Sequence, residues 1–246
     1  MKGAGRRRIT LMRHGHVDYF APDLTEPRSV PLTDEGRRQA EAARDAFKHS
    51  HFDIAVCSGL PRTRETAEII LSGNDAPPPL EAVEGLEEVK SGWVVAKSRE
   101  VLAAMLAYSF DNAEAEGASF LPEGETFASA EERIVDSLTT LVTTGSWKSA
   151  LIVAHEGVNR IALGWASGGG LRTIAAYEQD LCCVNLIDFD ITPNEAGDAL
   201  QLERVMIKAM NVTPYDFVKK GLSRTSLEHL FDIDFGDARP PRRNEF

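Results

Sequence analysis

Short apolar runs alternate with amphipathic stretches along most of this chain, and that alternation decides which folds are open to it. Ile9, Leu11 and Met12 read as a buried strand. After a loop over 17–32, broken by Pro22, Pro27 and Pro31, Thr33 can cap a helix running to about Lys48, with Ala40, Ala43 and Phe47 on one face. Phe52 to Cys57 reads as a second buried strand. Ser58-Gly59-Leu60-Pro61-Arg62 turns directly into a second helix, with Pro61 near its first turn and Ala67, Ile70 and Leu71 on its core face. Strand, helix, strand and helix in succession favour parallel strands covered by helices on both sides. The expected fold is α/β, a three-layer α/β/α sandwich with a mainly parallel central sheet.

The rest of the chain fits this frame less evenly. Prolines 77–79 break it, and 80–124 is irregular apart from a helical stretch over Val101 to Tyr108. A helix then begins at Glu125, with Phe127, Ala130, Ile134, Leu138 and Leu141 at spacings of three and four, and Gly145 ends it. Ala150 to Ala154 is a buried strand followed by His155-Glu156-Gly157, and Val158 to Trp165 is helical. Glycines 168–170 mark a turn. Leu181 to Phe189 and Leu200 to Ile207 read as two strands near the sheet edge, joined through Pro193, Asn194 and Gly197. Helix signals return around Leu227 to Phe231. At 246 residues one large core is the natural expectation, hence a single domain over 1–246 with an inserted helical segment at about 90–122 and a C-terminal extension at about 211–246.

A net charge of -11 argues against nonspecific nucleic-acid binding, which depends on many Lys/Arg–phosphate contacts. Cys57, Cys182 and Cys183 are odd in number and lie in apolar runs, which suits buried thiols in a reducing compartment. The basic start, Met1 to Arg8, is followed by no long apolar stretch, so neither a signal peptide nor a membrane span is expected, and the expected location is cytoplasmic. His14-Gly15-His16 has no third ligand beside it, so no metal is expected there.

The chemistry sits at strand ends. The first strand delivers Arg13, His14 and Gly15; the second leads through Ser58 to Arg62; the strand at 150–154 delivers His155. Parallel strands bring their carboxyl ends to one edge, where open α/β sheets bind ligands. Gly15 can turn sharply and offer backbone N–H groups to an anion. Arg13, His14, Arg62 and His155 can therefore converge as a phosphate pocket with a histidine nucleophile.

The ordered set Arg13-His14-Gly15, Leu32-Thr33 with Gly36, Gln39 and Ala40, Ser58, Arg62, Thr66 and Ala67, Leu86-Glu87-Glu88, Gly124-Glu125, and His155 with Gly157 resembles the histidine phosphatase superfamily, which includes the cofactor-dependent phosphoglycerate mutases. The resemblance covers roughly 8–190. It implies that His14 becomes a phosphohistidine, that Arg13, Arg62 and His155 hold the phosphoryl oxygens, and that Glu88 protonates the leaving group and then helps activate water. Within the acidic run Glu81, Glu84, Glu87, Glu88, the register set by Leu86 selects Glu88, with Glu87 next. The scheme requires no metal or cofactor.

Some positions depart from that pattern. Tyr19 and Phe20 stand where many members carry Trp-Asn, His16 where an acid is common, and Glu156 where a glycine is common. His16, Tyr19 and Glu156 are therefore candidates for the substrate side. Val89 to Glu100 lacks both the Gly-x-Trp-Glu-Gly pattern and the adjacent arginines that the mutases use for a carboxylate. The expected activity is hydrolysis of a small phosphate monoester, with a phosphoprotein as a wider substrate. A phosphomutase and a catalytically weakened binding or scaffold member are the alternatives. The extension after Asn211 offers a surface for packing on a second copy, a homodimer.

Overall fold

Alternate residues of the first strand, β1 (Gly5–Arg13), enter different cores: Ile9 and Leu11 on one side of the sheet, Met12 on the other. This computed structural model describes residues 3–19, 21, 26–93, 105–106 and 108–231. β1 lies inside a six-stranded sheet with β2 (Ile54–Cys57), β3 (Leu80–Ala82), β4 (Ser149–Ala154), β5 (Val184–Pro193) and β6 (Leu200–Val212), in the order β3-β2-β4-β1-β5-β6. The pairs β1–β4, β2–β4 and β2–β3 are parallel, whereas β5 and β6 join as an antiparallel pair at one edge. The sheet is thus mainly parallel, as the alternation predicts.

Helices cover both faces. Ala40 and Ala43 of α1 (Asp34–Ala46) and Ala67, Ile70 and Leu71 of α2 (Pro61–Leu71) pack with Met12, Leu151 and Val153. Phe127, Ala130, Ile134 and Leu138 of α3 (Phe127–Thr143), with Val158 and Ile161 of α4 (Glu156–Ala166), pack with Ile9, Leu11, Ala150 and Ile152. Truncating a buried phenylalanine such as Phe127 costs about 3–5 kcal/mol. The helix starts follow local chemistry. Thr33 Oγ1 accepts from Gly36 N, Thr126 Oγ1 accepts from Ser129 N, and Pro61 opens α2, where an N–H would have no partner. Because Thr126 is the cap, α3 begins two residues later than the apolar pattern suggests. At its far end Arg7, 1% exposed, donates to Thr144 O (2.5 Å) and Gly145 O (2.7 Å), placing a cation against the helix C-terminus.

Several expectations shift in detail. β2 is two residues shorter than Phe52–Cys57, and β3 has no counterpart in the sequence reading. The turn at Gly168 leads into a 3-10 helix over Gly170–Ala176. A short helix α5 (Ser226–Phe231) matches the signal near Leu227. Most of the helix expected over Val101–Tyr108 lies outside the described residues, as do Phe20 and the tail from 232 onward.

Candidate active site

β1 and β4 run side by side, with Arg13 opposite Ala154, so the next residues on the two strands are His14 and His155. The ladder continues one step further, since His14 N donates to Ala154 O at 3.1 Å. The two rings meet edge-on with centroids 5.3 Å apart, and His14 and His155 are 2% and 0% exposed. Arg62 arrives from the first turn of α2, after the end of β2. Three strand ends thereby bring the expected cluster together.

Hydrogen bonding sets each tautomer. His14 Nδ1 lies 2.7 Å from Gly15 O, which can only accept, so Nδ1 carries the proton and Nε2 keeps its lone pair. His155 is oppositely arranged. Its Nδ1 is 3.4 Å from Arg62 Nη2, a donor only, and its Nε2–H donates to Ser58 Oγ at 2.8 Å. Ser58 in turn donates to Thr63 Oγ1 at 2.9 Å, and Thr63 donates to Leu60 O at 2.8 Å. Burial, then the guanidiniums of Arg62 and Arg13, holds the His14 pKa well below the usual histidine value; burial, Arg62 and His14 do the same for His155. Both imidazoles are neutral at neutral pH.

Two guanidiniums flank these rings. Arg13 Nη1 donates to Gln179 O at 2.5 Å and pairs with Glu156 Oε2 at 3.1 Å. Arg62 Nη1 reaches Pro27 O at 3.5 Å, and its guanidinium lies 5.8 Å from the Tyr19 ring centroid. The buried Nε–H groups of both arginines have no hydrogen-bond partner among the described residues. Unsatisfied buried donors of this kind are costly, and an anion would satisfy them.

Glu88 comes from the loop beyond β3, after a 3-10 turn over Glu84–Leu86. Its Oε1 accepts from Val89 N at 2.9 Å and its Oε2 from Gly157 N at 3.4 Å, in the first turn of α4. A Cβ on Gly157 would lie 2.7 Å from Glu88 Oε1, so a glycine is what lets the carboxyl approach the helix. Burial pushes the Glu88 carboxyl above its ordinary pKa. Glu87 instead faces outward, with both oxygens 2.7 Å from Arg28 Nη2. Arg133 fastens the loop from beneath, donating to Gly85 O (3.0 Å) and Glu87 O (2.8 Å) while pairing with Glu125 at 2.6 Å.

The three substrate-side candidates separate. Tyr19 and Glu156 line a cavity of about 590 Å³ that also takes in Arg13, His14, Arg62 and Glu88. His16 turns to the cap of α1, with Nδ1 2.8 Å from Thr33 Oγ1. The Glu156 carboxylate is already committed: it pairs with Arg13, accepts from Arg160 Nη2 at 2.9 Å and accepts from Ser226 Oγ at 2.7 Å. Burial opposes its ionisation, but Arg13 and Arg160 outweigh that and hold its pKa below the usual value. The expectation for Gly15 is corrected in one respect. Its N–H donates to Thr66 Oγ1 at 3.1 Å rather than facing the cavity, and a Cβ there would meet Gly36 O at 2.5 Å. Close packing of β1 on α1, not anion binding, requires the glycine.

Sequence reasoning assigned no role to Ser58, Arg133, Arg160, Gln179 or Ser226. Only Arg160 carried a local signal, its place four residues after Glu156 on one helix. No group of three or more His, Cys, Asp or Glu among the described residues is arranged to hold a metal ion. Among the same residues no helix is long and apolar enough to cross a membrane.

Comparison with known proteins gives a consistent result. The histidine phosphatase superfamily (branch 1) matches residues 9–195. The adenosylcobalamin/alpha-ribazole phosphatase of Salmonella typhimurium is 29% identical over 160 residues, covering 61% of this chain and 75% of that protein. The solved alpha-ribazole phosphatase of Shigella flexneri superposes with a TM-score of 0.62 at 24% identity, over 83% of this chain and 96% of that one. A mutant phosphoserine phosphatase from Entamoeba histolytica, solved with phosphoserine, gives 0.63 at 20% identity, over 84% and 98%. These two structures share the fold.

Proposed function

This chain belongs to the histidine phosphatase superfamily, branch 1, and from that premise we propose that it hydrolyses small phosphate monoesters through a phosphohistidine on His14. The observation that carries the assignment to His14 is its fixed tautomer: Nδ1 is tied to Gly15 O, so Nε2 keeps its lone pair on a ring that feels the Arg62 and Arg13 guanidiniums. A neutral imidazole is a competent nucleophile at neutral pH.

The steps follow from the surrounding groups. Arg13 and Arg62 bind the non-bridging phosphoryl oxygens through N–H groups that include their unsatisfied Nε–H donors. His14 Nε2 attacks phosphorus, a P–N bond forms and the ester P–O bond breaks. Glu88, kept protonated by burial, gives its proton to the departing alkoxide. The resulting carboxylate then takes a proton from water as the water oxygen attacks phosphorus. The P–N bond breaks and inorganic phosphate leaves. His155 Nδ1 faces Arg62 as an acceptor in the free protein, and an arriving phosphate dianion favours its protonation, which turns it into a donor to a phosphoryl oxygen.

The buried free thiols of Cys57, Cys182 and Cys183 support a cytoplasmic, reducing location. The test of the reaction is phosphate release from a panel of monoesters without any bisphosphate activator. Release that depends on His14 and passes through an acid-labile phosphoprotein supports hydrolysis. Transfer to a second substrate hydroxyl, with no release to water, overturns it in favour of a mutase.

A further inference from the structure

We propose that the alcohol half of the substrate is large and apolar, and that it packs against Trp93 and Leu227, which both line the cavity. This rests on the hydrolase reading and adds to it the class of leaving group.

The proposed phosphate-binding residues make up only part of the cavity lining, which also includes Phe110, Phe120, Leu106 and Leu121. Phe110 stands edge-on to Phe120 with centroids 5.3 Å apart, and its ring is 4.8 Å from the Arg160 guanidinium. Arg160 is itself fixed by Glu156, so the wall is anchored to the residue that holds Arg13.

Trp93 stands at the mouth and is 61% exposed. Both of its N–H groups are satisfied: the backbone N donates to Pro122 O at 3.1 Å, and the indole Nε1 donates to Glu123 Oε2 at 2.6 Å. An indole held in this way leaves its apolar face in water with no polar work left to do. Such a ring stacks on an apolar partner at low entropic cost. Leu227 lines the same cavity. It is placed by its neighbour Ser226, whose hydroxyl donates to Glu156 and whose N–H donates to Glu178 Oε1 at 3.0 Å.

Polar recognition has little to work with beyond one lysine. Among the described residues lining the cavity, Arg28 is taken by Glu87, the Ser91 hydroxyl donates to Gly92 O at 3.4 Å, and Lys90 adds one exposed ammonium. A sugar or amino-acid alcohol would leave its own hydroxyls, amine or carboxylate against aromatic carbon, which is unfavourable. An apolar alcohol matches the wall.

The test compares esters whose reacting end is the same primary alkyl phosphate: ethyl phosphate, 2-phenylethyl phosphate and O-phosphoserine. Leaving-group chemistry is then nearly constant, and kcat/KM reads the fit of the remainder. The expected ratio of 2-phenylethyl to ethyl phosphate is about tenfold or more, because one or two buried carbons in an apolar pocket already discriminate by that much. O-phosphoserine should fall below 2-phenylethyl phosphate. The variants W93A and L227A should each cut the 2-phenylethyl/ethyl ratio by about threefold or more, mostly through KM. A wild-type ratio near one, or a preference for O-phosphoserine, overturns the proposal. A high ratio that survives in both variants also overturns it, since the alcohol then lies elsewhere. No release from any of the three esters by wild type overturns the hydrolase reading instead, and this proposal with it.

Discussion

The imidazoles of His14 and His155 stand edge to edge, 5.3 Å between centroids and 66° between planes, because the strands that carry them are parallel neighbours in register at Arg13 and Ala154. Proximity comes from backbone pairing, and chemical difference comes from what each ring touches. A carbonyl frees Nε2 of one, while a hydroxyl and a guanidinium occupy both nitrogens of the other.

Replacing His14 by Ala removes the proposed nucleophilic nitrogen. Phosphate release should fall on the order of 10⁴-fold or more, and acid-labile labelling from a radioactive ester should vanish. Labelling that persists in H14A would move the nucleophile elsewhere.

Glu88→Gln should lower kcat for an alkyl phosphate by about 10²–10⁴-fold, because the alkoxide then leaves unprotonated. An aryl ester with a good leaving group should lose much less in its first step. The substitution also has a thermodynamic signature. The Glu88 carboxyl is pushed above 4.5 in the fold, so the stability it contributes is fully present below that pH and is lost as pH rises through the folded value. At neutral pH this carboxyl is ionised in the unfolded chain, so burying it protonated requires folding to take up a proton, a cost that glutamine does not carry. E88Q should therefore melt higher than wild type at pH 7 and show no such gain at pH 4. Melting curves that coincide at both pH values would place Glu88 in an exposed setting, and the opposite order would mean that cations stabilise its carboxylate.

The two histidines act in the opposite sense on stability. Their folded pKa values lie well below 6.5, so the unfolded chain binds more protons as pH falls below 6.5, and stability declines there. His155→Asn should flatten that decline between pH 6.5 and 4.5 in denaturant titrations, at whatever cost in activity. An unchanged slope would mean that His155 is not buried as a neutral ring.

How much of this was legible beforehand follows the range of the interactions. β1, α1, α2 and β4 announce themselves because their apolar spacing is local, and the four residues Arg13, His14, Arg62 and His155 follow directly from where those elements stop. β3 does not, since it is three residues long, two of them exposed, and is held by pairing with β2 and by Leu80 alone packing on the core. Glu88 was found only by resemblance. No periodicity separates it from Glu87, and what distinguishes them is that Arg28 draws one outward while the N-terminus of α4 receives the other. Ser226 sits 70 positions from the Glu156 it bonds, and no local pattern reaches that far.

Ser58→Ala should act on His155 without touching substrate. The Nε2–H would lose its buried acceptor, at a stability cost of about 1–3 kcal/mol. The tautomer would no longer be fixed, and kcat/KM should drop by about tenfold, a modest loss beside that of H14A. Ser58→Thr keeps the hydroxyl and should restore most of the activity if the side chain fits. Imidazole nitrogen NMR gives the decisive readout: wild type should show His155 protonated at Nε2 alone, and S58A a mixture. A single Nε2–H form in S58A would show that Arg62 is sufficient to set the ring.

The link between α5 and Arg13 runs through one carboxylate, where Ser226 and Arg13 share Glu156 Oε2. Glu156→Gln would leave Arg13 buried without its counter-charge and Arg160 with Glu178 alone, and breaking a buried ion pair from one side costs about 3–5 kcal/mol. Its melting temperature should fall sharply, which makes it a poor probe of function. Ser226→Ala is the finer instrument. It removes one hydrogen bond to a charged group, worth about 1.5–3 kcal/mol, and leaves both guanidiniums paired. With Arg13 less firmly aimed and Leu227 less firmly seated, KM should rise several-fold while kcat changes little, since neither residue takes part in proton transfer. An S226A enzyme with wild-type KM and wild-type melting temperature would show that α5 rests beside the site without supporting it.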